Sequence, residues 1–80
     1  MNTEILFFSA SWCGPCKMMK SALSEDLISE LNIRVIDIAA DMELATEYQV
    51  MNVPTFVKLV DNQEVSRKVG TTTIEKLRNL

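Results

Sequence analysis

Histidine is absent from these 80 residues, and cysteine, glycine and proline occur only twice each. With two thiols and no imidazole, the chain cannot by itself close a four-ligand zinc site, so no metal is expected. So little Gly and Pro leaves no room for long flexible linkers. The length suits one domain spanning residues 1–80, near the lower end of what folds without staples. No apolar stretch approaches the roughly 20 residues that cross a bilayer, so no membrane association is expected. Lys and Arg form no run: eight basic residues are scattered among eleven acidic ones, for a formal charge of −3. Nucleic-acid affinity comes largely from neutralised phosphates, so that balance argues against nucleic acid as a partner. The start, Met1-Asn2-Thr3-Glu4, lacks a positive n-region and runs at once into a short apolar segment. It does not read as a signal peptide, and the expected compartment is the cytoplasm. In that reducing setting, two neighbouring cysteines point to catalysis or metal binding rather than to a structural staple.

What is present is a globular composition, 48% hydrophobic and 24% charged, with enough apolar side chains for one modest core. Glu4 to Ser9 is a short apolar run rich in strand formers and predicts a buried strand. Beyond the cysteines, Met18, Met19, Ala22, Leu23, Leu27, Ile28 and Leu31 recur at three- and four-residue spacing, which predicts one helix face. Pro15 suits the first turn of that helix, and Asn32 its stop. Ile33 to Ala39 is β-branched and predicts a second strand. Met42 to Gln49 predicts a helix with Leu44, Ala45 and Tyr48 on one side. Thr55 to Val60 is a third strand, Asp61-Asn62-Gln63 a polar turn, and Glu64 to Val69 the strand that pairs back as a hairpin ending at Gly70. Thr72 with Glu75 three residues later has the form of a capping box for a last helix carrying Ile74 and Leu77. Alternation puts Lys58 on the face of Phe56 and Val60, from which its long side chain is expected to reach water. The order βαβαββα gives an α/β fold, a four-stranded mixed sheet flanked by helices.

The chemistry concentrates in Trp12-Cys13-Gly14-Pro15-Cys16. A strand ends just before Cys13 and a helix starts just after it. The helix N-terminus offers unpaired N–H groups and about half a positive charge. Both favour thiolate over thiol, so Cys13 is expected to ionise more readily than a free cysteine. Cys16 follows one turn later on the same side and should be the more buried of the two. The pair can close to a disulfide with little backbone movement. The expected reaction is dithiol exchange: Cys13 attacks a substrate disulfide, and Cys16 resolves the mixed disulfide. A purely structural role is disfavoured, because so short a loop constrains little unfolded-chain entropy.

The segment Ala10-Ser11-Trp12-Cys13-Gly14-Pro15-Cys16-Lys17 resembles the active-site segment of thioredoxins. Asp37 at a strand end, Ala45 and Tyr48 before Val50, Val53-Pro54-Thr55, and Gly70 match the family in the same order. The resemblance covers nearly the whole chain and implies the thioredoxin fold, with strand order 2-1-3-4. It further implies a cis Pro54 lying against the cysteines and a substrate segment pairing with the backbone of Val53. Substrate contact is thereby assigned to Trp12, Gly14, Pro15, Val53, Pro54 and Thr55. No cofactor beyond the redox-active Cys13–Cys16 pair is implied. The chain departs from the family in starting directly at the strand before the motif, as glutaredoxins and short thioredoxin-like proteins of archaea and phages do. It also has Phe7 where the family carries a buried acid, a group thought to manage the proton of the second cysteine, and Asn52 where a smaller residue is usual.

The resemblance implies a monomeric disulfide reductase, taking electrons from a thioredoxin-reductase-like flavoprotein and passing them to protein disulfides, ribonucleotide reductase among them. Two alternatives stay open on the sequence. One is a glutathione-linked glutaredoxin, against which stand the Gly-Pro dipeptide and the preceding Trp. The other is a non-catalytic binding subunit that uses the apolar rim of Trp12, Val53 and nearby methionines. Of those, Met18 and Met19 are expected to pack on the helix face, and Met51 to line a groove.

Overall fold

The apolar run at the start of the chain becomes the innermost strand, β1 (Thr3–Ser9), of a computed structural model that describes residues 2–80. It is followed by α1 (Gly14–Ala22), α2 (Glu25–Glu30), β2 (Ile33–Asp37), α3 (Met42–Glu47), β3 (Thr55–Val60), β4 (Gln63–Val69) and α4 (Ile74–Arg78). The sheet order is β2-β1-β3-β4, as the resemblance implies. β1 runs parallel to β2, with Phe7 beside Val35 and Ser9 beside Asp37, and antiparallel to β3, with Phe7 beside Phe56. Both faces of β1 are covered, which is why a continuous apolar run rather than an alternating one serves there.

Alternation along β1 divides the core between the two faces of the sheet. Ile5 and Phe7 join Met19 and Leu23 from the α1 segment, Ile33, Phe56 and Leu77 of α4. The Phe7 and Phe56 rings stack with centroids 4.5 Å apart. On the other face, Leu6 and Phe8 join Ile36, Val57 and Leu59, covered by Leu44, Ala45 and Tyr48 from the α3 segment. Each fully buried large apolar side chain stabilises the fold by about 1.5–3 kcal/mol, so these two layers are what hold an 80-residue chain together.

The structure differs from the sequence reading at several element ends, each for a local reason. The expected single helix from Met18 to Leu31 is two. Leu23 turns extended (φ −97°, ψ 100°), and the Ser24 hydroxyl caps α2 by accepting the Leu27 N–H at 3.2 Å. Apolar spacing sees the shared buried side but not the cap that interrupts it. Met18 is not on the packed face either: the phase of α1 leaves it 70% exposed, whereas Met19 is buried. β2 stops at Asp37, short of Ala39, because the Asp37 carboxylate accepts the Ala39 N–H at 2.8 Å and turns the chain. α3 stops short of Gln49, which is left-handed at φ 52°. The cap of α4 is Thr73 rather than Thr72; its hydroxyl accepts the Lys76 N–H at 3.2 Å, and Glu75 becomes a first-turn acid. Lys58 is half-buried, and its Nζ donates to the Leu80 carbonyl at 2.9 Å. Asn32 ends its helix in the left-handed region as expected (φ 52°), and Asp61 and Asn62 make the β3–β4 turn with φ of 51° and 68°.

Candidate active site

The turn from β1 into α1 places both cysteines at the end of the sheet where β1 and β2 finish. The Cys13 N–H donates to the Ala10 carbonyl at 3.1 Å, which closes the turn. Cys13 is itself the N-cap of α1, with Pro15 in the first turn, and its Sγ accepts the Cys16 N–H at 3.2 Å. The sulfur thus sits where a side-chain oxygen would cap an ordinary helix, against an N–H that has no partner within the helix. Cys13 and Cys16 are joined as a disulfide with Cα atoms 5.2 Å apart. Cys16 is fully buried and Cys13 slightly less so. A Cβ built on Gly14 would meet nothing within 4 Å, so this corner of the site is open to an approaching chain.

Across from the cysteines stands the loop before β3. The Val53–Pro54 bond is cis, and the Val53 carbonyl oxygen lies 3.7 Å from Cys13 Sγ. This loop is fastened twice: the Thr55 hydroxyl donates to the Asn52 carbonyl at 2.6 Å, and the Gly70 N–H donates to the Pro54 carbonyl at 2.8 Å. Beside it runs a groove of about 220 Å³ lined by Trp12, Ile38, Val50, Met51, Asn52 and Val53. Trp12 is 72% exposed and Met51 87%, an unusual state for large apolar side chains.

The sequence-predicted residues Trp12, Cys13, Gly14, Val53 and Pro54 come together here. Thr55 is buried, with its hydroxyl engaged inside the protein, so its place is beneath the loop rather than in the groove. Ile38 and Val50 are groove residues the sequence reading did not single out. Ile38 follows β2 by one position, and its N–H still donates to Ser9 at 2.9 Å; continuing the strand pairing past the turn is the signal that would have found it. Phe7 is fully buried under α1, with no carboxylate in its place. Ionisable groups with displaced pKa values lie away from the cysteines. Burial and, secondarily, Glu47, Glu4 and Glu64 hold the Tyr48 phenol above its ordinary value. The Arg67 hydrogen bond holds Glu64 below its own. Among the described residues there is no cluster of three metal-ligating side chains, and no helix is long and apolar enough to cross a membrane.

Set beside known proteins, residues 2–80 match the family model for thioredoxin. A thioredoxin of Staphylococcus aureus is 35% identical over 72 residues, which cover 86% of this chain and 69% of that protein. Among solved structures, a thioredoxin of Fasciola hepatica superposes with a TM-score of 0.83 at 33% identity, over 98% of this chain and 76% of its own. A mutant thioredoxin of Halobacterium salinarum gives 0.82 at 33% identity, over 96% and 69% respectively.

Proposed function

The chain belongs to the thioredoxin family, and from that membership we propose that Cys13 is the attacking thiol and Cys16 the resolving thiol of a protein-disulfide reductase. That it is a thiol–disulfide oxidoreductase follows from the family and from its paired cysteines. The division of labour between them rests on one observation: Cys13 Sγ caps α1, accepts the Cys16 N–H and lies 3.7 Å from the carbonyl of Val53, a groove residue, while Cys16 is fully buried.

In the reduced protein, the helix N-terminus favours the Cys13 thiolate. That thiolate attacks one sulfur of a substrate disulfide; the second substrate sulfur leaves as a thiolate and takes up a proton. The Cys16 thiolate then attacks Cys13 Sγ, forming the Cys13–Cys16 bond and releasing the first substrate sulfur in turn. Two electrons have passed to the substrate, and the protein is left oxidised. The second step is intramolecular, between side chains already held on adjacent turns, and is fast for that reason. An extended substrate segment lies along Val53, whose carbonyl stands beside Cys13, with Trp12, Gly14 and Pro15 on the opposite bank and Pro54 and Thr55 holding the loop. The redox disulfide is the only cofactor needed. Electrons come from a thioredoxin-reductase-like flavoprotein, and the acceptors are cytoplasmic protein disulfides such as that of ribonucleotide reductase; the working form is a monomer.

The test is trapping. Cys16→Ser mixed with an oxidised protein substrate is expected to accumulate a covalent complex through Cys13, and Cys13→Ser to accumulate none. Full turnover by Cys16→Ser, without a trapped complex, would refute the assignment. Turnover supported by glutathione alone would move the protein to the glutaredoxin side of the family.

A further inference from the structure

Ser9 is fully buried, and its hydroxyl has no hydrogen-bond partner among the described residues. An unengaged hydroxyl in a protein interior costs about 1–3 kcal/mol, so its position calls for an account. It lies on the same face of β1 as Ile5 and Phe7, which pack with Met19 and Leu23 of the α1 segment. The turn between Ser9 and Gly14 reverses the chain, so moving from Leu23 back toward the start of α1 moves along β1 toward Ser9. The lengths agree. Ile5 to Ser9 spans about 13 Å at the rise of a strand, and Leu23 to Cys16 about 10 Å at the rise of a helix. The next inward-facing residue of α1 after Met19 is Cys16, fully buried and packed with Ala10, the neighbour of Ser9. These lengths place Ser9 near the level of Cys16 along the sheet, with its hydroxyl unengaged while the disulfide is closed.

We infer that Ser9 is a positioning residue for the resolving step, its hydroxyl donating a hydrogen bond to the Cys16 thiolate once the disulfide has been reduced. This rests on the reading of Cys16 as the resolving thiol. The proton leaves Cys16 for solvent or the departing substrate sulfur; Ser9 keeps its own and stabilises the charge left behind. Two other buried hydroxyls among the described residues are also unpartnered: that of Ser66 lies opposite Lys58, toward the end of the sheet away from the cysteines, and that of Thr72 lies in the segment between β4 and α4. Phe7 has no polar atom, and Thr55 faces the other side of the sheet, opposite Phe8, with its hydroxyl engaged. Lys17 and Lys20 of α1 and Glu75 and Lys76 of α4 are exposed. Asp37, the register partner of Ser9 on β2, is half-buried, with one carboxylate oxygen taken by the Ala39 N–H. Lys58 of β3 is engaged with Leu80, and Lys68, opposite Phe56 on β4, is half-buried.

The experiment uses the reduced full chain and dithiobis(nitrobenzoate). Attack by Cys13 releases the first thionitrobenzoate, and resolution by Cys16 releases the second, so the two phases report the two cysteines separately. The comparison is Ser9→Thr against Ser9→Val, which share a shape and differ in the hydroxyl. Ser9→Val is expected to slow the second phase at pH 7 about tenfold relative to Ser9→Thr, and to move its pH midpoint up by about one unit. The first phase should change less than twofold. Ser66→Ala removes another buried, unpartnered hydroxyl, one placed opposite Lys58; it should leave both phases alone. Equal second phases in Ser9→Thr and Ser9→Val would overturn the inference while leaving the roles of the cysteines intact. A second release that persists in Cys16→Ser would instead overturn the reading of Cys16.

Discussion

The two ends of the sheet are built on opposite plans. At the end where β1 and β2 begin, polar side chains tie the backbone together. Asn2 and Asp61 exchange hydrogen bonds at 2.8 and 3.0 Å, the Asn32 amide donates to the Thr3 carbonyl at 2.8 Å, Lys58 reaches Leu80, and Arg78 pairs with Glu30. At the other end the polar ties lie beneath the surface, and the surface is apolar: Trp12 and Met51 stand in solvent on either side of a groove. One end is arranged to close the fold, and the other presents the apolar groove proposed above to take the substrate. The same 80 residues separate stability from recognition along the length of β1.

Substitutions can break that separation or sharpen it. The largest effect is expected between the ends, where Phe7 stacks on Phe56. Phe7→Ala should lower the unfolding free energy by about 3–5 kcal/mol, read from urea titration, enough to unfold much of the population of a marginal domain. At the closing end, Asn32→Ala removes the bond to Thr3 and puts Ala in a left-handed conformation. A loss of about 1–2 kcal/mol is expected, with disulfide reduction per folded molecule unchanged. At the receiving end the pattern should invert. Met51→Asp should leave stability within about 0.5 kcal/mol and raise KM for a protein disulfide several-fold, with little change toward a small aromatic disulfide. A stability loss as large as that of Asn32→Ala would mean the rim is structural after all.

The smallest effect belongs to Glu64 and Arg67, about a third exposed and joined at 2.5 Å, with Arg67 also donating to the Tyr48 carbonyl at 2.8 Å. The arginine's hydrogen bond lowers the Glu64 pKa in the fold. Its contribution is therefore complete above the ordinary carboxylate range and disappears as pH falls through the lowered value. For so exposed a pair it should amount to no more than about 0.5 kcal/mol. Glu64→Gln should flatten that part of the acid limb in thermal melts taken between pH 3 and 5.

How far the sequence reached depended on the kind of signal. Thr55 to Val60 was legible to the residue because turn formers bracket a β-rich run, and the pairing of Cys13 with Cys16 was legible because cysteines at that spacing, with Gly-Pro between them, are already within reach of each other. Helix ends were harder. Leu27, Ile28 and Leu31 continue the spacing of Met19 and Leu23 because both helices cover the same core, so the period survives a break that only Ser24 betrays. Thr72 and Thr73 offer two caps one residue apart, and the backbone path out of β4 decides between them. Met18 and Met19 are adjacent and chemically identical, yet one is in solvent and the other in the core; composition cannot separate them, whereas the phase of α1 does. The buried strand expected over Glu4 to Ser9 takes in Ser9, but no pattern in the sequence marks its hydroxyl as one left without a partner.

The doubly fastened loop before β3 carries one more consequence. Thr55 holds Asn52 and Gly70 holds Pro54, so the wall of the groove is fixed by the protein's own hydrogen bonds. A surface already ordered before encounter loses little conformational entropy when a chain docks on it. The flexible party is then the substrate, and a disulfide in a pliable, extended segment should be captured more readily than an identical one locked within a folded domain.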